Sequence, residues 1–411
     1  MRAIDFQKEG LSEKEKRNID ILEILRRRGP VSRPDISKEM GVNVVTVSNY
    51  IDEFIRRNLV HEKDFDVSEG GRRPVLLDLN PQAAYVIGAG LNLLDVVGLL
   101  IDLKGNIITK TRLPRNTLSA EGIGESLLNV IREVLRRSKE YTSNIRGVGV
   151  GLAGLINKQD GSVRWPERSG TTYRYAAVDV HLKSMLEKEF SLPTLIENDA
   201  TCACFGEHWL DLEHGLKNVL YMFSGVGCGM MINGEVYRGA LGYAGEVAIY
   251  NDKEEETFSC KAGRSCFIRR WESDLGIIED VLKALSVKKD EADKFLKVAG
   301  IDKLDDLTLK NVFSAARSGN VAASGALASA AERLGIKTAS LVNLLNPQVV
   351  VIGGGLEEAG HDFLNIVDAT VKKWAFKEVT TNLKIVYSQL RENAVAVGAA
   401  SLVMQKIFSQ L

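Results

Sequence analysis

The stretch that most limits what this chain can fold into is residues 219–246, VLYMFSGVGCGMMINGEVYRGALGYAGE. A β-rich run (219–223) ends in the glycine turn Ser224-Gly225-Val226-Gly227-Cys228-Gly229, a second apolar run follows (230–232), and Asn233-Gly234 comes next. Asn-Gly between two extended runs predicts a hairpin. Glycines at 225, 227 and 229 let backbone N–H groups approach a phosphate or a sugar hydroxyl with no Cβ in the way. A plain glycine-rich hairpin uses the same residues, so the neighbouring motifs have to decide between the two.

At 411 residues the chain is long enough for two or three domains. A 45% hydrophobic and 26% charged composition is that of a soluble globular protein. No apolar run approaches the roughly 20 residues of a membrane helix. Residues 1–17, MRAIDFQKEGLSEKEKR, lack the apolar core of a signal peptide, so a cytoplasmic location is expected. Five cysteines, an odd and sparse set, argue against a disulfide framework. A net charge of −1, with 15 basic and 15 acidic side chains in residues 1–80, leaves nucleic-acid binding to local patches.

The first eighty residues have such patches. Ser12 and Glu15 fit a capping box that opens a helix with Ile19, Leu22 and Leu25 inward, stopping before Gly29-Pro30. Ser32 caps a short second helix that tolerates Pro34 in its first turn and breaks at Gly41. Asn43 caps a third, with Val47, Ile51 and Phe54 at core spacing. Two strands follow, separated by Gly70-Gly71-Arg72-Arg73-Pro74. The pattern reads as a winged helix-turn-helix whose third helix enters a DNA major groove. The candidate DNA-binding residues are Asn43, Val45, Thr46, Ser48, Asn49 and Tyr50 on that helix, with Arg72 and Arg73 at the wing tip for a minor groove or its phosphates. A helical protein-interaction domain with a solvated arginine pair is the alternative.

From residue 84 the pattern changes. Strands over 85–89 and 96–102, a turn at 104–106 and a third strand precede a helix over 121–139 and a strand over 147–152. A meander that turns into alternating strands and helices predicts an α/β domain with a mixed sheet. Glu197-Asn198-Asp199-Ala200 falls at the end of a strand and the start of a helix, where open α/β sheets bind ligands. An Asn-Asp pair there could hold vicinal sugar hydroxyls, and Asp199 could serve as a general base. Helix capping explains the same two residues equally well.

In order and spacing, LIENDATCACFGE, FSGVGCGMMINGEVYRGALGYAGE and LVNLLNPQVVVIGGGLEEAG together resemble the ROK family (repressor, open reading frame, kinase) from about residue 85 to the end of the chain. The preceding GRRP, followed by Leu-Asp-Leu-Asn-Pro, resembles its transcriptional repressor branch, the sugar repressors of xylose, glucose and N-acetylglucosamine type. The resemblance implies an actin-like, sugar kinase-type α/β fold of two lobes behind the winged helix. The expected division is residues 1–80 for DNA binding, 81–196 with about 376–411 for the first lobe, and 197–375 for the second, with the effector site and a dimer surface. It further implies a carbohydrate effector held by Asn198, Asp199 and Glu246. The kinase base becomes a vestigial Asp199, and Gly225, Gly227 and Gly229 a vestigial phosphate loop.

The departures from the family pattern bear on chemistry. Gly90 stands where the kinases' phosphate motif has an aspartate, removing a hard oxygen ligand for Mg²⁺, so ATP-dependent transfer is not expected. Ile249 replaces the histidine of the family's zinc site, and 260–266 retains only Cys260 and Cys266, too few for a tetrahedral structural zinc. A third ligand from Cys202 or Cys204 is the alternative; no metal and no cofactor is expected. Ile249 and Ile268 also replace two of the family's polar sugar contacts, so the effector is either a sugar lacking a hydroxyl there, such as a pentose, or one held in a shifted pose. The whole predicts a sugar-responsive repressor that binds a palindromic DNA operator as a homodimer or tetramer. A ROK sugar kinase with an appended DNA-binding domain is the alternative.

Overall fold

The computed structural model describes residues 10–65, 74–115, 120–164, 166–169, 172–175, 180–210, 215–224, 227–247, 276–286 and 289–411. Ser12 opens the first helix, Glu13–Arg28, by a reciprocal cap: its Oγ accepts from Glu15 N at 3.3 Å while Glu15 Oε2 accepts from Ser12 N at 2.8 Å. Helix Arg33–Met40 starts at Ser32 and ends at Gly41 in the left-handed region, φ 64°. Helix Val44–Arg56 starts at Asn43, whose Oδ1 accepts from Val45 N at 2.8 Å. Leu22, Leu25, Ile36, Val47, Ile51 and Phe54 are buried together against Leu77 and Leu79 of a three-stranded antiparallel sheet, Val31–Ser32, Val75–Leu79 and Val60–Phe65 in that order.

Two five-stranded mixed sheets organise the remainder, beside two short two-stranded pairs, Leu155–Ile156 with Val163–Arg164 and Pro166–Ser169 with Thr172–Tyr175. The first runs Thr194–Asn198, Ile145–Leu152, Tyr85–Leu91, Asp95–Asp102, Ile107–Pro114; the last three are an antiparallel meander, and the first two lie parallel to Tyr85–Leu91. The second repeats this plan with Lys384–Tyr387, Val349–Gly353, Val219–Phe223, Gly227–Ile232 and Glu235–Val236. Asn233 and Gly234, at φ 55° and 84°, make the hairpin turn expected of Asn-Gly.

Side chains alternate faces along each strand and so divide the core. Val219, Tyr221, Val349 and Val351 of the second sheet point toward helices Asp199–Trp209 and Ala394–Ser409, while Leu220, Met222, Val350 and Ile352 point toward helices Ile277–Leu285, Leu309–Arg317, Val321–Leu345 and His361–Trp374. Ile87, Ala89, Leu100, Val148 and Val150 of the first sheet pack against helices Ala120–Arg137 and Leu182–Phe190. The chain returns to the first sheet later than expected. Residues 376–393 carry Lys384–Tyr387 to the edge of the second sheet, and the return begins only with helix Ala394–Ser409. None of the helices among the described residues is long and apolar enough to cross a membrane.

Candidate effector site

Strand Thr194–Asn198 delivers its last residue to the start of helix Asp199–Trp209. Asn198 Oδ1 accepts from Thr201 N at 3.1 Å and caps that helix. Asp199, in its first turn, is 8% exposed, and its Oδ1 accepts from Ala200 N at 2.7 Å. Glu246 comes to the same place from the second sheet. It bridges to Gly227, and Cys228 N donates to Gly245 O at 2.8 Å. Gly245 has φ +103°, and a Cβ there would lie 2.0 Å from Cys228 O, so only glycine lets the backbone carry Glu246 this close.

Burial sets the charge state of this pair. It pushes the Asp199 carboxyl up to about 6, with the Ala200 N–H and the Arg115 charge opposing. It pushes Glu246 up to about 7, and the Asp199 charge pushes in the same direction. Two carboxyl groups that titrate close to neutrality, one just past the C-terminal end of a parallel strand and the other bridged beside it from a loop, can accept from or donate to vicinal hydroxyls.

The adjacent Glu197 has the opposite fate. Burial again pushes it up, but Arg238 Nε at 2.8 Å and Lys158 Nζ at 3.6 Å outweigh that and hold it below the usual carboxylate range. Arg238, Lys158 and Arg115 were not among the residues singled out from the sequence. Only the first glutamate of Glu-Asn-Asp and an arginine between two glycine-rich turns hinted at this ion pair.

The glycines play mixed parts. Gly225 lies outside the described residues. Gly227 bridges to Glu246, whereas a Cβ on Gly229 would lie 2.2 Å from Ala200 O, so that glycine serves strand–helix packing. The first sheet's corresponding turn is closed. Asn92 Oδ1 accepts from Leu94 N and Asp95 N, both at 2.8 Å, and Leu93 N donates to Gly354 O of the second unit at 3.0 Å. Arg112 and Lys310 both pair with Asp95, Lys310 at 2.9 Å. At Gly90 a Cβ would lie 2.4 Å from Val395 Cγ1, leaving no space for an aspartate. These residues do not fit a nucleotide phosphate with its Mg²⁺.

On helix Val44–Arg56, Val45 is 62% exposed, Asn43 and Asn49 are exposed, and Thr46 and Ser48 are half-buried. Tyr50 departs from the expected outward position: half-buried, it packs on the N-terminal core with its ring 6.4 Å from that of Phe54. Arg72, Arg73, Ile249, Cys260, Cys266 and Ile268 lie outside the described residues. Among those described, no group of three or more His, Cys, Asp or Glu is placed to hold a metal ion.

The fold and these residues have known relatives. The chain is 29% identical over 388 residues to a xylose repressor of Caldicellulosiruptor bescii, covering 92% of this chain and 93% of that protein. A crystal structure of a ROK family transcriptional regulator, a homologue of the E. coli MLC protein, superposes with a TM-score of 0.68 at 20% identity, covering 96% of this chain and 97% of that one. A ROK family glucokinase from Streptomyces griseus, in complex with glucose and AMPPNP, gives 0.63 at 22% identity, over 78% of this chain and 99% of its own. Both superpositions support the actin-like, sugar kinase-type fold. Residues 89–406 match the ROK family profile, and the chain belongs to the ROK family.

Proposed function

We propose that this chain is a sugar-responsive transcriptional repressor. The observation that carries the reading is the union, in one chain, of an exposed helix face at Val45 and Asn49 with a carboxyl pair, the buried Asp199 and the half-buried Glu246, both raised toward neutrality. The similarity to a xylose repressor supports both halves, because it covers 92% of the chain and so extends into the region ahead of residue 89.

In this reading residues 1–80 are a winged helix-turn-helix. Val45, Thr46, Ser48 and Asn49 face the major groove, Asn43 caps the helix beside a phosphate, and Arg72 and Arg73 form the wing tip. A homo-oligomer in the cytoplasm binds a two-fold operator. The carbohydrate lies between the two sheets against Asn198, Asp199 and Glu246, and binds one arrangement of the chain more tightly than the other. No phosphoryl transfer takes place, since Gly90 has no space for a carboxylate and the adjoining turn is closed on Gly354. A kinase reading draws on Asp199 alone, whose carboxyl near 6 would suit a general base.

Genomic DNA fragments selected on the purified protein, with and without a panel of pentoses, hexoses and disaccharides, test the reading. A two-fold motif that one sugar abolishes is the expected result. No enriched fragment under any condition would overturn it, and sugar-dependent ATP hydrolysis would replace it with the kinase. Replacing Arg72 and Arg73 together by Ala is expected to weaken binding at all operators alike and to reduce the salt slope by roughly 2 for each protomer on the operator.

A further inference from the structure

Helix Asp199–Trp209 connects two places that the repressor reading needs to connect. Its first residue belongs to the effector site, and about 15 Å away at 1.5 Å per residue its last, Trp209, touches the N-terminal unit. Arg26 of helix Glu13–Arg28 donates from Nη2 to Trp209 O and places its guanidinium 4.8 Å from the centre of the Trp209 ring. The Arg26 side chain is only 5% exposed and is also held by Glu23, with Nη2 3.0 Å from Oε2. Trp209 is itself wedged between Phe205 and Phe408, at ring separations of 5.5 and 5.8 Å.

Nothing along the helix takes up a displacement. A Cβ on Gly398 would stand 1.7 Å from Cys202 O, so helices Asp199–Trp209 and Ala394–Ser409 touch backbone to backbone. The opposite side rests on Gly229, as described above. A packed interior of this kind transmits movement and does not absorb it. Beyond Arg26, helix Glu13–Arg28 shares one buried cluster with Ile36, Val47 and Phe54, so helix Val44–Arg56 moves with it.

Among the described residues the N-terminal unit also meets the body where helix Glu13–Arg28 packs on helix Ala394–Ser409 in one buried cluster, where Asn18 Nδ2 donates to Leu411 O at 3.1 Å, and where Asp78 pairs with Lys104 at 2.7 Å. None of these lies on an element that begins at the effector site. We infer that helix Asp199–Trp209 is the rod by which sugar occupancy at Asp199 reaches the DNA-binding helix, with the Arg26–Trp209 contact as its coupling joint and these other contacts as pivots. This rests on the repressor reading of the effector site. Arg26 and Trp209 are positioning residues that touch neither ligand.

The test is a double variant, Glu23→Gln with Arg26→Met, which removes the buried charge pair as a unit and avoids leaving one partner unpaired. Sugar affinity is measured by calorimetry, and operator affinity by titration with and without the sugar found to act on the wild type. Sugar affinity and sugar-free operator affinity are expected to stay within about threefold of wild type, while a sugar effect of tenfold or more falls below twofold. An undiminished sugar effect overturns the inference. Hydrogen exchange on the unaltered protein gives a result that does not depend on the variant folding. Sugar is expected to change protection in both 199–209 and 13–28, and a change confined to 199–209 overturns the joint. A wild type whose operator binding ignores every sugar overturns the repressor reading itself, which the first titration reveals before any variant is made.

Discussion

The two five-stranded sheets share one strand order, yet their first hairpin turns have been put to opposite uses. In the first, the polar groups are consumed internally: Asn92 ties down two backbone N–H groups, Asp95 pairs with Arg112 and Lys310, and Leu93 is hydrogen-bonded across to Gly354. In the second, the turn that begins at Ser224 leads to a strand whose Gly227 bridges to Glu246, a half-buried carboxyl held near neutrality and close to Asp199. The same backbone plan thus has a closed half and a receptive half. What separates them is whether the carboxylates are already matched by cations. Asp95 is, and so is Glu197, while burial dominates at Asp199 and Glu246.

The strongest way to break this comparison is to reopen the closed half. Gly90→Asp would drive a Cβ into Val395 and bury a carboxylate, and is expected to cost about 3–5 kcal/mol in urea unfolding without creating ATP binding. A variant of wild-type stability that bound ATP would show that the first turn is not closed in the sense argued here. The next effect is expected at the receptive turn, where Asp199 from the first sheet meets Glu246. Asp199→Asn removes an acceptor for a sugar hydroxyl and should weaken the sugar by about 1.5–3 kcal/mol, roughly 10- to 100-fold by calorimetry. Asp95→Asn, the control from the closed half, should leave sugar affinity unchanged. Equal losses at the two positions would erase the distinction.

Much of the local structure was legible because it is decided within a few residues. Ser12, Ser32, Asn43 and Asn198 each cap the helix expected of them, and Asn233-Gly234 turns its hairpin. Asp199 stood out because it follows a strand end with a recognisable pattern, whereas Glu246 was implied by the resemblance to the ROK family. The rest depends on partners distant in sequence. Glu197 meets Arg238 across 41 residues, and nothing near either one announces the other. The closure of the first turn on Gly354 joins the two sheets, so no local pattern reports it. Tyr50 was misread because a large aromatic at the margin of a helix's apolar face can lie on either side, and packing against Phe54 decided it. The first lobe was expected to resume at about residue 376 and resumes only at 394, because the short run Lys384–Tyr387 does not itself say which neighbour it will pair with.

The smallest expected effect is on pH, and it sharpens the comparison through sign. Asp199 and Glu246 have folded-state values near 6 and 7, raised by burial from 3.8 and 4.5. The folded chain therefore holds more protons than the unfolded one between about pH 4 and 7. Their contribution to stability is fully present below about pH 4 and is lost as pH rises through 6 and 7. Glu197, whose value is lowered, contributes in the opposite sense, above its ordinary value of 4.5 and lost on acidification. Sugar affinity should move against the first trend, because the ionised carboxyls that burial disfavours are the better acceptors for hydroxyl groups. Calorimetry between pH 5.5 and 8 is expected to show affinity rising by about 1 kcal/mol, with Glu246→Gln flattening the upper part of the rise. An affinity that fell with pH would mean that Asp199 and Glu246 bind the sugar as protonated donors, and the receptive half would then work by hydrogen bonds opposite in sense to those proposed.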